Sequence, residues 1–365
     1  MTDAMMNELG FYTLPGAPKT PKELIAEVRD AEEMGIGACF ISERFNIKEA
    51  ATLSGAVGAI SDRVGIATAA TNHNTRHPMV SAAYAMTMHH LTDGRFSLGL
   101  GRGIDRVSQA YGLPPITTAQ MEDFVGVMRQ VWNGELVIGH DGPIGSYPAL
   151  AMRGIEPVHI PMTLTAFGPN SLALGGRCFD AVVLHTFFTD ETTTRVVQAV
   201  KDAAEQAGRD PDAVRVWSCF ATIGDHIPED VRLKKTVGRM ATYLQAYGDL
   251  MVRTNDWDPA VLERFRADEM VSGRWDGAID QVATTAQLEH IATLIPEEWL
   301  APAAMGTPEQ CVAAVRGQFD LGCDGVILHG ASPVDLRPIV EEYARTRPAG
   351  VFDDLPANPG GRRGS

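Results

Sequence analysis

The sequence predicts a (β/α)8 TIM barrel, and three observations carry that reading. Eight short runs rich in apolar and β-branched residues recur along its 365 residues. Each is followed, directly or after a loop, by a helical pattern. The runs are near-continuously apolar, as parallel strands buried on both faces require. A doubly wound open sheet reads the same unit by unit, and the count of eight favours closure.

The expected strands are residues 9–14, 38–42, 64–70, 96–101, 162–167, 180–185, 214–223 and 324–329. After the first, residues 20–34 carry Leu24, Ile25, Val28, Ala31 and Met34 at helical spacing, with Pro21 near the first turn. Residues 78–91, 117–132, 191–206, 307–321 and 334–343 read as helices in the same way. Thr307-Pro308-Glu309-Gln310 is a helix start in itself, with threonine as N-cap, proline at N1 and Gln310 at N3.

Two stretches exceed ordinary connections. Residues 134–161, rich in Gly and Pro, form an expected loop insertion before the fifth strand. Residues 224–304 hold three helical patterns (231–250, 259–269 and 281–294) and read as a helical insertion over the barrel mouth, between strands seven and eight. Either could equally be decoration. Residues 1–347 are thus expected to form one barrel domain, and 348–365 a polar, Pro/Gly-rich tail that drapes over the surface or moves.

The formal charge is −15, from 31 Lys and Arg against 46 Asp and Glu. That balance argues against a nucleic-acid partner and against electrostatic attachment to anionic lipid. No run approaches the roughly 18 apolar residues that span a bilayer. Residues 1–8 lack the basic-then-apolar order of a secretory signal. Five cysteines without a C-x-x-C pair favour reduced thiols, so a cytoplasmic location is expected and no metal site is.

In a barrel of this kind, chemistry sits at the C-terminal ends of the strands. None of the six lysines falls there, which excludes Schiff-base and pyridoxal chemistry. No G-x-S-x-G elbow is present. Gly99-Leu100-Gly101-Arg102-Gly103 fails as a dinucleotide fingerprint: residue 104 is Ile104, and no helical pattern opens until Thr117. It reads either as a strand end that runs beneath a flat ligand, whose space a Cβ would fill, or as a tight turn. Gly168-Pro169-Asn170-Ser171 opens a helix whose free amides could take a phosphate; an ordinary capped helix reads alike.

Several motifs occur in a telling order: Thr75-Arg76-His77-Pro78, Leu91-Thr92-Asp93-Gly94-Arg95-Phe96, the glycine turn at 99–103, Tyr111-Gly112, and Gly322-Cys323-Asp324-Gly325-Val326. With them the chain resembles the bacterial luciferase-like monooxygenase family, and within it the coenzyme F420-dependent oxidoreductases of actinobacteria. The likeness runs from Leu9 to about Tyr343 and is most specific over residues 77–103.

The resemblance implies a luciferase-like barrel holding coenzyme F420, an 8-hydroxy-5-deazaflavin, or alternatively FMN, and a homodimer acting on a small-molecule substrate. It places Thr71 and Asn72 near the cofactor ring, Gly101 and Gly103 along its bed, and Gly168, Asn170 and Ser171 at its phosphate. It also implies a non-prolyl cis peptide within residues 67–71. Arg76 and Arg102 are the arginines expected to contact the cofactor, with Arg44 and Arg106 also at the mouth. Where relatives often read Ser-Glu-His-Phe, this chain reads Ser42-Glu43-Arg44-Phe45, and a glutamate beyond the glycine turn is replaced by Ile104-Asp105. Glu43, Asp105 and His185 are therefore the candidate catalytic residues. Glu43 could instead pair with a rim arginine, and His185 and His329 could be bonded within the barrel. Tyr12, Phe45, Phe187 and Phe188 could wall the substrate space or simply pack. A cofactor-binding barrel without turnover remains the reading from outside enzymology.

Overall fold

The computed structural model describes residues 4–364, the side chains of Asp105 and Arg106 excepted. Among the described residues there are eleven strands: β1 Met6–Tyr12, β2 Ile36–Ile41, β3 Gly65–Thr68, β4 Phe96–Leu100, β5 Val137–Gly142, β6 Gly145–Leu150, β7 Met162–Thr165, β8 Ala181–Val183, β9 Arg215–Gly224, β10 Ala304–Gly306 and β11 Gly325–His329. Eight of them pair in parallel, in the order β1-β2-β3-β4-β7-β8-β9-β11, and β11 returns to β1. The ring is closed. All eight expected runs supply a barrel strand.

Closure follows from the two-sided apolar character of the strands. Phe40, Ala67, Val183, Trp217 and Ile327 fill the interior, with the Phe40 and Trp217 rings edge-to-face at 5.0 Å. The other strand faces meet the helices in a continuous outer layer that includes Leu9, Ile66, Leu98, Leu164 and Val326. Thr307 caps its helix with a complete capping box.

Residues 134–161 do not remain a plain loop: β5 and β6 form an antiparallel hairpin. Residues 224–304 carry a series of helices with their own core, including Met240, Leu244, Met251, Phe265 and Leu288, and Trp257 stacks on Trp299 at 4.4 Å. β10, inside that stretch, pairs with the outer part of β9. A helix at Ala50–Ile60 follows β2, and a short one at Asp105–Ala110 opens directly after the glycine turn, ahead of the start at Thr117 that the sequence suggests.

The tail departs from expectation too. Residues 355–361 close the N-terminal end of the barrel rather than draping over the surface. Asn358, only 8% exposed, donates to the carbonyls of Gly94 (2.6 Å) and Phe96 (2.8 Å). Trp217 Nε1 donates to Pro359 O at 2.9 Å, and the buried Arg215 guanidinium donates to Asn358 O at 3.1 Å while lying over the Trp217 ring. A polar, Gly/Pro-rich run hides this role because its backbone and one asparagine make the hydrogen bonds, and Leu355 is the one large buried apolar side chain of residues 355–361.

Candidate active site

At the opposite end, the strand termini open into one cleft of about 1770 Å³. Its lining includes Ser42, Glu43, Arg44, Phe45, Thr71, Asn72, Gly101, Arg102, Gly103, Gly168, Asn170, Ser171 and His185. The expected cofactor and catalytic residues thus converge, with two exceptions. The Asp105 side chain lies outside the described residues. Arg76 does not line the cleft; it stands behind Glu43.

The floor is built where β3 meets β4. The Ala69–Ala70 peptide is cis, within the range the resemblance implied. Thr71 N–H bonds to Gly99 O, and Gly101 N–H to Thr71 O. A Cβ on Gly99 would stand 1.6 Å from the Thr68 carbonyl oxygen, and one on Gly101 would stand 2.8 Å from the Ala70 Cβ. These glycines make room for the neighbouring strand. Gly103 differs: its φ of 70° suits the tight-turn reading, and a Cβ there would meet nothing nearer than Ser108 Oγ at 3.8 Å.

Glu43 sits at the end of β2 with its side chain 5% exposed. Oε1 accepts from Arg76 Nη2 (2.7 Å) and from Ala50 N–H (3.2 Å). Oε2 accepts from Thr71 Oγ1 (2.8 Å) and Asn72 Nδ2 (3.1 Å). Arg76 also donates to Thr71 Oγ1 and pairs with Glu49. The rim-arginine pairing is real, made by Arg76 rather than Arg44. The carboxylate fixes the two side chains that face the cleft.

Beyond the floor, helix Pro169–Cys178 begins at Gly168, which gives no side-chain cap. The Ser171 amide is already bonded to the Gly168 carbonyl. Arg102 joins this helix to the wall opposite: Nε donates to Ser171 Oγ (3.1 Å), Nη1 to Ile116 O (2.5 Å) and Nη2 to Thr118 Oγ1 (2.7 Å). Arg195 and Arg253, from helices Asp190–Gln206 and Arg239–Thr254, line the same outer end. Neither stands near a strand end in sequence, so a search of strand ends passes over both.

His185 lies flat on Phe167, with ring centroids 4.4 Å apart. Its Nδ1 faces Thr186 O (2.9 Å), a group that only accepts, so Nδ1 carries the proton. Nε2 then accepts from Tyr247 OH at 2.9 Å. Burial, reinforced by the charge of Arg239, holds the imidazole down at about 4. At neutral pH it is uncharged. His329 meets Tyr12 edge-on at 5.5 Å and is also pushed well down, by burial first and then by Arg239. Tyr243 and Tyr247, supplied by the insertion, complete this wall. Phe187 and Phe188 are buried, whereas Phe45 and Tyr111 pack edge-on at the exposed rim, 5.6 Å apart.

A family model described as luciferase-like monooxygenase matches residues 6–325. The chain belongs to that family. Among curated proteins it is similar to the 5,10-methylenetetrahydromethanopterin reductase of Methanolobus tindarius, at 23% identity over 83% of this chain and 88% of that one. It is also similar to the phthiodiolone/phenolphthiodiolone dimycocerosates ketoreductase of Mycobacterium tuberculosis, at 27% over 84% and 81%. The F420-dependent glucose-6-phosphate dehydrogenase of Tsukamurella paurometabola matches at 24% over 89% and 92%.

Among solved structures, the coenzyme F420-dependent tetrahydromethanopterin reductase of Methanopyrus kandleri superposes with a TM-score of 0.77, at 18% identity, covering 93% of this chain and 99% of that one. A long-chain alkane monooxygenase follows the same fold at 0.67, with 15% identity and coverage of 99% and 95%. Several motifs behind the resemblance are scaffold in this luciferase-like chain. Arg95 donates to the carbonyls of Ser61 and Val64, and His77 caps the helix at Pro78–Leu91, all outside the cleft. Among the described residues no helix is long and apolar enough to cross a membrane, and no group of three or more His, Cys, Asp or Glu is placed to hold a metal ion.

Proposed function

We propose that this protein is an F420-dependent oxidoreductase that moves a hydride between reduced deazaflavin and a small organic substrate. One observation carries the reading. A single cleft runs from the barrel axis, past Thr71 and Asn72, to the uncapped helix start at Gly168 and on to Arg102, Arg195 and Arg253. That path suits a flat ring followed by a phosphate and an anionic tail, because guanidinium groups fork onto phosphate and carboxylate oxygens. A Cβ on Gly168 would meet only Leu250, at 3.6 Å, so this glycine borders open space. The residues therefore fit the group.

When bound, the deazaflavin supplies or accepts the hydride; the chain positions it and keeps water out. Glu43 orients Thr71 and Asn72 toward the ring. Gly101 and Gly103, which line the cleft, would form its bed. Asn170 N–H, Ser171 Oγ and Arg102 hold the phosphate. His185, being neutral, serves as a hydrogen-bonding wall with Phe167 and Tyr247 and is not an acid in its cationic form; Glu43 and Asp105 remain the candidate proton carriers. Glu43 acts first as a positioning residue. The chain is further read as a cytoplasmic homodimer. Four of its five thiols are buried and all are free, which suits a reducing compartment.

The test is direct titration with F420 and FMN. F420 is expected to bind at least ten times more tightly, and Arg102→Ala to erode that margin. Equal binding of the two, or silence of Arg102→Ala for both, would move the assignment to an FMN-dependent monooxygenase.

A further inference from the structure

We propose that Arg44, with Arg239 behind it, forms a carboxylate-binding subsite for the substrate, on the β2 side of the cleft and away from the Gly168 helix. The proposal rests on the cofactor reading above for its division of the cleft, and it names the substrate class.

Arg44 follows Glu43 at the end of β2 and lines the cleft. Its guanidinium makes one described side-chain hydrogen bond, from Nη1 to the Gly16 carbonyl at 2.6 Å. Among the described residues no carboxylate lies within salt-bridge distance of it. It is half-buried; burial, and then the like charge of Arg239, hold it below its usual range. A half-buried guanidinium that lines a cleft and has no carboxylate partner among the described residues gains from an arriving anion.

The neighbouring charges do not supply that anion. Asp280 attracts Arg44 from beyond pairing distance, but its oxygens are committed to Arg239 (2.8 Å) and to Thr242 Oγ1 (3.0 Å). Two guanidiniums thus share one carboxylate. Nearby Lys235 has its own acid, Asp335, at 3.5 Å. Glu27 is held by Thr13 Oγ1 and the Leu14 amide, both on its Oε2, and is offset by Lys48, whose Nζ donates to the Thr13 and Leu14 carbonyls. What is left over is a single positive charge in a planar fork.

That remainder decides the ligand. A carboxylate carries one charge and presents two coplanar oxygens at the spacing of the guanidinium fork, whereas a phosphate dianion would be left half neutralised. The surroundings suit a flat, unsaturated body attached to it: Phe45 and Tyr111, which line the cleft with Arg44, meet edge-on at 5.6 Å, and the Tyr247 ring lines it too. The subsite therefore fits an unsaturated or aromatic carboxylic acid whose reducible group reaches toward Thr71 and Asn72.

Benzoate, benzamide and inorganic phosphate are the probes, titrated calorimetrically against full-length protein with and without F420. Wild type is expected to bind benzoate at least tenfold more tightly than benzamide or phosphate. Arg44→Met should abolish that preference, Arg44→Lys should keep the charge but lose several-fold for want of the fork, and both should bind F420 within twofold of wild type. Equal binding of benzoate and benzamide, absence of benzoate binding, or equal loss of benzoate and F420 in Arg44→Met overturns the proposal. Tighter binding of phosphate than benzoate overturns the carboxylate assignment. Should Arg44→Met not fold, the Arg44→Lys ratio decides. If F420 does not bind wild type, the cofactor reading fails, and the benzoate preference of cofactor-free protein still judges the subsite separately.

Discussion

Arg76 meets Glu43 at 2.7 Å from behind the cleft wall, while the other oxygen of the same carboxylate holds Thr71 and Asn72. One ion pair therefore sets two side chains at the floor of the site. Glu43→Gln leaves the charge of Arg76 with Glu49 alone, and removing one partner of a buried pair costs about 3 kcal/mol. We expect a loss of that size in urea unfolding, with weaker F420 binding. The double variant with Arg76→Met should lose at least 1 kcal/mol less than the sum of the single changes, because the two residues act as a unit. Additive losses would show that they do not.

Gly168→Val separates binding from folding. The added Cβ meets one leucine at ordinary contact distance, and the backbone there is extended, with φ at −92°. The melting temperature of cofactor-free protein should barely move, while F420 binding weakens at least tenfold. Parallel losses in both measurements would make this glycine structural.

His185 gives a pH signature. Its folded value of about 4 lies below the roughly 6.5 of an unfolded histidine. Between these values the unfolded chain binds more protons, so this contribution is complete above pH 6.5 and fades as pH falls toward 4. His329 acts in the same direction. Stability measured by urea should therefore rise with pH across that window, and His185→Phe should make the rise shallower. An unchanged slope would mean that His185 titrates normally in the fold.

Asn358→Ala tests the lower closure. The side chain serves two buried carbonyls and, through Oδ1, the Gly360 amide at 2.9 Å. Leaving such groups unmatched costs about 2 kcal/mol. A drop in the urea midpoint with unchanged F420 affinity is expected, since the site lies at the other end of the barrel. A loss of affinity would connect the two ends.

The barrel strands were legible because burial on both faces leaves a continuous apolar run. What escaped lacked a period. Residues 50–60 are apolar nearly all round, with Ala, Gly and Leu in succession, so no face stands out. β5 and β6 are largely exposed and contain Gly and Pro. In the site, Glu43, Thr71, Asn72, Gly168 and Ser171 were readable as strand-end residues. Tyr247, Arg195 and Arg253 were not, because helices distant in sequence bring them to the cleft. The partner of Glu43 was equally hidden: whether Arg44 or Arg76 takes the carboxylate depends on where the chain turns after β3.

The lower closure has a consequence for how the protein is made. Translation delivers the chain from its N-terminus, so all eight barrel strands leave the ribosome before Asn358 and Pro359 do. Until those residues emerge, the Trp217 indole N–H lacks its carbonyl partner, the Arg215 guanidinium has the Asn7 carbonyl but not that of Asn358, and the carbonyls of Gly94 and Phe96 lack their donor. The nascent barrel thus waits, open at one end, until the segment from β11 to Pro359 has been made. A chain cut off between the last helix, Pro333–Thr346, and Asn358 would have every strand available and its underside still reachable by chaperone or protease.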